Sequence, residues 1–387
     1  MENLGKTDLP VQLPRRKKII FSTILLCCSI LTTLALCEFI LRYQKQSQQK
    51  IDLLDPDLIV YDSRLGWKLT PRWRGNHQHN DFKVRYSTNR YGFRGDFTRP
   101  ASPDGQRFAF LGDSFTFGFG VNDHETFVDK LNKKEPGNLY LNFAVPGFST
   151  DQQYILLRER VFDFSPDVVV LVTYLGNDLF DNLLPFPLQA NHGKPYFELF
   201  ENRLVLKNSP VPLAAKNKEQ SALDLHRVVR GDTTPLRGRL LRILDKSELF
   251  QRVTRVNHPN DRDLFPLFDK RFKQALKVYT AILEQMVLLC ENNGSELIVV
   301  LMPGRSLVER PGSQSAQFQE YLREKIIEKC RKLNIRLIDL ALHLKTLHSE
   351  TGEELFHPNE GHMNAKGHQV TAQTIHKQLK PEFSTQP

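Results

Sequence analysis

Cysteine is scarce in this sequence, and no spacing of cysteine with histidine is typical of a zinc site. There are five cysteines in 387 residues, and three of them lie in one apolar segment near the N-terminus. The other two, Cys290 and Cys330, fall near the ends of two expected helices. In an oxidising compartment this pair could form a disulfide. Two buried free thiols are at least as good an interpretation.

Internal repeats, low-complexity tracts and an excess of glycine or proline are also missing, which excludes a solenoid and a largely disordered chain. With 40% hydrophobic and 25% charged residues, the chain can bury a full core. Its net charge of +9 comes partly from the basic run 15–18 and partly from an expected basic helix over 237–255. Neither has interleaved aromatics or a nucleic-acid motif, so nucleic acid is not an expected partner.

An apolar segment near the N-terminus is long enough to cross a membrane. No charged residue occurs from Ile19 to Cys37, and a bilayer core requires roughly 20 residues. A cleaved signal peptide has a shorter apolar region, about 7–15 residues, and a small-residue cleavage site. Because basic residues precede the segment, the N-terminus is expected in the cytoplasm. The sequence predicts a cytoplasmic tail over 1–18, a single-pass anchor in the inner membrane over 19–41, and a periplasmic remainder.

Beyond the anchor, the pattern of apolar residues changes near residue 101. Residues 42–100 are predicted to be a polar stalk and a small β-rich segment of short strands and Asn or Gly turns. From 101 to 382, apolar runs alternate with helical patterns, which predicts an α/β fold with a doubly wound parallel sheet. The apolar runs are 108–111, 139–145, 168–173, 297–302 and 337–340. The helical patterns cover about 125–134, 151–162, 268–292 and 315–333.

The interval 183–265 interrupts this alternation and is predicted to be an insertion over the sheet edge. Residues 196–200 and 204–206 flank turn-forming residues and predict a hairpin. Thr234 and Pro235 are the cap and first residue of an expected helix. The insertion could carry a lid or a substrate-selecting element, and its basic helix could rest on the membrane surface. Packing of that helix on its own domain is the simpler interpretation.

Four residues follow predicted strands at positions where chemistry could occur. Ser114 follows the first strand, Gly147 the second and Asn177 the third, while His362 follows the fifth strand after a loop. Each alone has an ordinary explanation, such as a capping serine or a turn. Ligands of open α/β sheets bind outside the carboxyl ends of the strands, so the four could meet in one crevice. There they would supply the nucleophile, base and oxyanion donors of acyl transfer.

Three histidines near the C-terminus could instead suggest a metal site. His357, His362 and His368 lack the i, i+4 spacing of helical zinc motifs, and no acidic ligand set accompanies them. We therefore predict neither a metal nor a cofactor.

The same positions resemble the four motif blocks of the SGNH (GDSL-type) hydrolases, in the family's order and over roughly 101–382, the insertion excepted. The resemblance implies a flavodoxin-like five-stranded sheet, with Ser114 as nucleophile and His362 as base. It also implies an oxyanion hole from the N–H groups of Ser114 and Gly147 and the amide of Asn177. Residues 61–95 are similar to the segment that precedes this domain in membrane-anchored bacterial members. The matching residues are Gly112, Asp113, Ser114, Gly147, Gly176, Asn177, Asp178, His362, Asn364 and Gly367.

The sequence departs from the family pattern in two places. Phe115 replaces the leucine that follows the serine, and the aspartate expected shortly before the histidine is missing. Asn359 and Glu360 stand in its place. In an extended loop, side chains two apart point the same way, so Glu360 is expected to face His362, whereas Asn359 would bring no charge.

A rival pairing of Glu354 with His357 imitates the same motif block. We reject it because His362, not His357, stands at the family's distances from Asn364 and Gly367 and leads directly into the last helix.

The expected function is hydrolysis of carboxylic acyl esters through a Ser-His-Glu site and an acyl-enzyme. One alternative is O-acyl or acetyl transfer to a cell-surface polysaccharide, because similar anchored proteins act in such acetylation. Another is a non-catalytic glycan-binding or scaffold protein with a decayed site, against which the intact serine, asparagine and histidine argue. The expected partners are the membrane and an acyl ester or acylated glycan.

A protease added outside spheroplasts is expected to digest the chain beyond about residue 42, because the basic run before the anchor leaves everything after it outside the cytoplasm. Immunoblotting of the fragments measures this. Protection of the C-terminal domain until lysis would show that the orientation is wrong.

Overall fold

The structure, a computed structural model, describes residues 14–47, 51–97, 105–187, 192–213 and 265–380. The chain divides into two units, residues 1–49 with 232–261 and residues 50–231 with 262–387. Helix α1 (Arg15–Ser47) is the described part of the first unit. It is long and apolar enough to cross a membrane, a criterion that a signal sequence also meets. Because α1 runs past the predicted segment 19–41 at both ends, the first residues of the predicted stalk are helical.

The second unit begins with short strands, as the alternation of the sequence predicted. Strands β1, β4 and β5 form an antiparallel sheet, and β2 and β3 form a hairpin. We call residues 51–97, which contain these strands, the N-terminal β-segment. Its strands are β1 (Asp52–Leu54), β2 (Ile59–Asp62), β3 (Gly66–Leu69), β4 (Arg74–His79) and β5 (Lys83–Ser87).

The remaining strands build a five-stranded parallel sheet and one hairpin. The sheet order is β12, β11, β8, β6, β7, with parallel pairing throughout. This confirms the predicted flavodoxin-like, doubly wound topology. The strands are β6 (Arg107–Leu111), β7 (Leu139–Asn142), β8 (Val168–Tyr174), β9 (Tyr196–Phe200), β10 (Arg203–Lys207), β11 (Glu296–Met302) and β12 (Arg336–Asp339).

Helices cover both faces of the sheet, because alternate residues of each strand point to opposite sides. Ala109 and Leu111 belong to the core that α4, α6 and α8 cover, whereas Phe108 and Phe110 belong to the core under α3, α9 and α10. The helices are α2 (Ser114–Phe117), α3 (Phe127–Lys134), α4 (Thr150–Arg160), α5 (Asp178–Asp181), α6 (Phe265–Asn292), α7 (Arg305–Glu309), α8 (Gln314–Lys332), α9 (Leu340–Thr351) and α10 (Ala365–Leu379).

Two features of the sheet and its connections depart from the prediction. The second sheet strand ends at Asn142 instead of residue 145, at the point where the Asn142 side chain accepts the N–H of Ala144. The stretch between the fifth strand and His362 contains helix α9, where the sequence predicted only a loop. Asp339 caps this helix by accepting the N–H of Ala341, and Gly352 ends it in a left-handed conformation.

The described part of the insertion contains the predicted hairpin. Strands β9 and β10 pair antiparallel, and Glu201 and Asn202 form the turn with positive φ of 48° and 62°. Phe197 packs against Tyr154 of α4, with ring centroids 5.7 Å apart. The helix predicted at Thr234 and Pro235 lies outside the described residues.

Cys290 and Cys330 are buried free thiols, so the structure does not contain the alternative disulfide. Burial raises the pKa of both thiols to about 12.

One buried arginine joins the N-terminal β-segment to the loop that follows α2. The guanidinium of Arg94 donates to the carbonyls of Phe117, Gly118 and Val121, at 2.6–2.9 Å. It also pairs with Asp123 at 2.7 Å. Since a buried guanidinium is stable only when its donors are satisfied, these contacts fix the loop to the segment.

We expect Arg94→Met to lower the free energy of unfolding by about 3 kcal/mol or more, because it leaves buried carbonyl groups without a donor. Arg90→Met is the matched control, since Arg90 is exposed and its loss should cost under about 0.5 kcal/mol. Urea-induced unfolding of the two variants measures the difference. Equal stability would contradict the role given to Arg94.

Candidate active site

Ser114 lies directly beyond the carboxyl end of the first sheet strand. The chain leaves β6 at Leu111, and Ser114 is the first residue of the single-turn helix α2. The Asp113 carboxylate caps this helix by accepting the N–H of Phe115 at 2.9 Å. Gly118, with φ of +85°, ends the helix. The short helix therefore presents the Ser114 hydroxyl at the sheet edge, on the wall of a cavity of about 840 Å³.

His362 and Glu360 form a hydrogen-bonded chain with Ser114. The distance between Ser114 Oγ and His362 Nε2 is 2.6 Å, and that between His362 Nδ1 and Glu360 Oε1 is 2.5 Å. The second carboxylate oxygen of Glu360 accepts the backbone N–H of His362 at 2.9 Å. In this arrangement Nδ1–H donates to the carboxylate, which leaves Nε2 free to accept the serine proton.

Glu360 is ionised in this arrangement. Burial acts to raise its pKa, but the hydrogen bonds from His362 and the electrostatic interaction with that ring outweigh burial and hold the pKa of Glu360 below its ordinary value. Phe115 and Phe119 flank the imidazole, with ring centroids 4.5 and 5.4 Å from it. The charged carboxylate therefore faces the ring in a partly apolar environment, where electrostatic interactions are stronger than in water.

The cavity that contains Ser114 is also lined by Gly147 and Asn177. Gly147 has φ of +79°, a conformation that favours glycine, and is the third residue of a turn in which the Phe148 N–H donates to the Val145 carbonyl. The Asn177 amide donates to the Asp181 carboxylate, which fixes its orientation. The structure thus brings all five sequence-predicted site residues to one cavity.

The rival pair, Glu354 and His357, is not part of the hydrogen-bonded chain that includes Ser114. His357 Nε2 contacts the carbonyl of Gly120 at 3.1 Å, and burial lowers the pKa of His357. Within the described residues, no hydrogen bond joins Glu354 to His357. His368 Nδ1 accepts the N–H of Phe127 at 3.2 Å. Among the side chains that the structure describes, no group of three His, Cys, Asp or Glu residues could hold a metal ion.

The sequence matches the model of the GDSL-like lipase/acylhydrolase family over residues 110–370, which is two thirds of the chain. The chain belongs to this family. It is an ester hydrolase on a flavodoxin-like sheet.

Solved structures similar to this hydrolase include acetyl xylan esterases and lipolytic G-D-S-L family proteins. They include the acetyl xylan esterase AlAXEase, at 12% identity and a TM-score of 0.41, over 71% of this chain and 100% of that one. A catalytic mutant of an acetylxylan esterase from Geobacillus stearothermophilus has 11% identity and a TM-score of 0.41, over 75% and 100%. A lipolytic G-D-S-L family member from Veillonella parvula has 11% identity and a TM-score of 0.37, over 70% and 97%. No curated protein sequence matches the hydrolase.

Sequence reasoning missed a polar cluster on the cavity wall. Arg305, Ser306, Ser315 and Gln319 line the cavity of the hydrolase beyond the fourth sheet strand. The rule that pointed to the other site residues, that ligands bind outside the carboxyl ends of strands, would have found Arg305 and Ser306, which closely follow β11. Ser315 and Gln319 come from the next helix and carry no signal of their own.

Two buried carboxylates stand behind the nucleophile. Burial raises the pKa of Asp113 to about 6, against the opposing positive charge of His362. Burial and the charge of Asp113 raise the pKa of Asp178 well above its ordinary value. The folded hydrolase holds the Asp113 proton more tightly than the unfolded chain does. Protonation of Asp113 therefore adds to the free energy of unfolding, and this contribution is complete below about pH 4. It is lost as the pH rises to about 6.

Asp113→Asn keeps an oxygen that can accept the Phe115 N–H and removes the ionisable group. Between pH 4 and about 6.5, we expect the free energy of unfolding of the wild type to fall relative to this variant by up to about 3 kcal/mol. Urea-induced unfolding of both proteins across this range measures the difference. Parallel curves for the two proteins would show that Asp113 does not titrate as described.

Proposed function

We propose that this chain hydrolyses carboxylic esters through an acyl-enzyme formed on Ser114. The observation that carries the proposal is the continuous hydrogen-bonded chain from Ser114 Oγ through His362 to Glu360. A nucleophile, a base and a group that orients the base are the parts that acyl transfer requires. In this proposal Glu360 takes the place of the family's aspartate, and its longer side chain reaches Nδ1 from two residues before the histidine.

Each step uses the same imidazole. As Ser114 Oγ attacks the carbonyl carbon, His362 Nε2 accepts the serine proton, and the Glu360 carboxylate stabilises the imidazolium that forms. Collapse of the tetrahedral intermediate breaks the ester C–O bond, and His362 donates the proton to the leaving alcohol. Water then attacks the acyl-enzyme, with His362 again as base, and releases the carboxylic acid and free Ser114.

The oxyanion of the tetrahedral intermediate would be bound by the N–H groups of Ser114 and Gly147 and by the Asn177 amide. As the first residue of α2, Ser114 has an N–H without an acceptor inside its helix. The positive φ of Gly147 and the hydrogen bond that orients Asn177 support the same assignment. Such preoriented donors stabilise charge that develops in the transition state.

The polar cluster favours a substrate that carries hydroxyl groups. Gln319 Nε2 donates to Ser306 Oγ at 2.8 Å and to Ser315 Oγ at 3.3 Å, and the two hydroxyls are 2.8 Å apart. Because one serine donates to the other, the second hydroxyl hydrogen remains for a ligand. Phe119 lines the same cavity, is partly exposed and offers an apolar face. An acylated glycan would use both, with its hydroxyl groups at the serine cluster and an apolar part against the aromatic ring.

The polar cluster on the cavity wall also supports the second candidate function, O-acyl transfer to a glycan. Transfer differs from hydrolysis only in that a sugar hydroxyl replaces water in the last step. An acyl group moved to a glycan faster than free acid is released would identify transfer. The decayed-site alternative has no support, because the chain belongs to a hydrolase family and its serine, histidine and glutamate are hydrogen-bonded.

The placement of the enzyme is part of the proposal. Helix α1 would anchor the chain in the inner membrane with residues 1–18 in the cytoplasm, and the domain over 101–382 would act in the periplasm. The basic run before the apolar segment supports this orientation, and the length and composition of α1 support the anchor.

We expect Ser114→Ala to lower turnover of p-nitrophenyl acetate by about 10³-fold or more, because it removes the nucleophile. Glu360→Gln should also lower it severely, since the imidazolium loses its charged partner. His357→Ala is the matched control: this histidine lies in the same loop but contacts Gly120, and most activity should remain.

Circular dichroism of each variant controls for folding. Unchanged turnover in folded Ser114→Ala would show that Ser114 is not the nucleophile. Near-normal turnover in Glu360→Gln together with loss in His357→Ala would show that the rival pair is the correct one.

A further inference from the structure

A carboxylate of the N-terminal β-segment holds the loop that carries Glu360. Asp81 lies in the two-residue turn between β4 and β5, a turn closed by hydrogen bonds between His79 and Phe82. Its carboxylate accepts the backbone N–H of Asn359 at 2.8 Å and the Asn359 side-chain amide at 2.6 Å. It also accepts the backbone N–H of Glu360 at 2.8 Å. Both carboxylate oxygens are therefore used on two consecutive residues of one loop.

This contact is charged, and although it lies near the protein surface, the carboxylate itself is largely covered. The Asp81 side chain is 3% exposed. Burial acts to raise the pKa of Asp81, but the hydrogen bonds from Asn359 and Glu360 and the nearby His79 hold that pKa below its ordinary value. Hydrogen bonds to an ionised acceptor are about twice as strong as neutral ones. Two of them fix the backbone of the loop at Asn359 and Glu360, and the third fixes the Asn359 side chain.

The contact between Asp81 and the loop also explains how Glu360 can be positioned at His362 in place of the family's aspartate. Asn359, three residues before His362, stands where the aspartate is expected, but its side chain is bonded to Asp81 and turned away from the imidazole. Glutamate has one more rotatable bond than aspartate, so its carboxylate is less confined unless its backbone is held. On the other side of the loop, Arg305 donates to the carbonyl of Pro358.

We propose that Asp81 is a positioning residue that acts through Glu360, so that the N-terminal β-segment completes the active site from outside the family domain. The proposal rests on the Ser114, His362 and Glu360 assignment given above. Asp81 does not line the cavity, so its effect should fall on kcat and not on KM.

The test is a double-mutant cycle in the full chain, purified in detergent, with p-nitrophenyl acetate as substrate. We expect Asp81→Ala to lower kcat roughly 10- to 100-fold, as misplacement of a catalytic group by about 1 Å does, with KM within about twofold. In the Glu360→Gln background, Asp81→Ala should change kcat by less than about twofold, because Asp81 then has no carboxylate to position. A merely structural role would give the same loss in both backgrounds.

Asp55→Ala is the matched control. Asp55 accepts the backbone N–H of Asn76 at 2.7 Å and its side-chain amide at 3.2 Å, in the same β-segment but away from the loop. Its kcat should match the wild type. If Asp81→Ala does not fold, Asp81→Asn, which keeps the volume and one acceptor oxygen, should show a smaller loss of kcat that again disappears in the Glu360→Gln background.

Wild-type kcat in Asp81→Ala, additive losses in the cycle, or a loss confined to KM would each overturn the proposal while Glu360→Gln remains impaired. Wild-type kcat in Glu360→Gln would overturn both this proposal and the assignment of the acid. The two failures are therefore distinguishable.

Discussion

The hydrogen bond between Ser114 Oγ and His362 Nε2 joins residues 248 positions apart in the chain, and most of the fold contributes to that meeting. Parallel strands place their carboxyl ends at one edge of a sheet, which brings the loops after β6, β7 and β8 to the same cavity. Helices α9 and α10 flank the loop that carries His362. The short helix α2 and its Asp113 cap then aim the serine at the imidazole.

The N-terminal β-segment contacts three of the loops around this hydrogen bond. Arg94 holds the loop after the nucleophile, and Asp81 holds the loop before the histidine. The indole of Trp67 donates to the carbonyl of Pro146 at 3.0 Å, next to Gly147. A catalytic site that tolerates little displacement thus receives support from a segment that lies outside the family match over 110–370.

The sequence was sufficient for the sheet and for the residues at its edge, since buried strands and the residues after them leave a local pattern. The sequence also pointed to Glu360, although on the wrong premise of an extended loop. Residues 358–360 form a turn in which the Gly361 N–H donates to the His357 carbonyl, and Gly361 has φ of +95°. Helix α9 was missed because its capping residue Asp339 directly ends a strand and left no separate turn signal. The contact of Asp81 with Asn359 spans 278 positions, and no periodicity encodes such a pairing. Ser306 closely follows β11 and could have been found by the same rule, whereas Ser315, nine positions later, lies in the next helix and carried no signal of its own.

The most direct test of the account is covalent labelling of the active site with a fluorophosphonate, followed by mass spectrometry of the peptides. We expect stoichiometric modification of Ser114, slower labelling in Glu360→Gln because the base loses its charged partner, and no labelling in Ser114→Ala. Modification of a different serine, or ester turnover that persists without modification of Ser114, would contradict the claim that Ser114 is the nucleophile of this hydrolase.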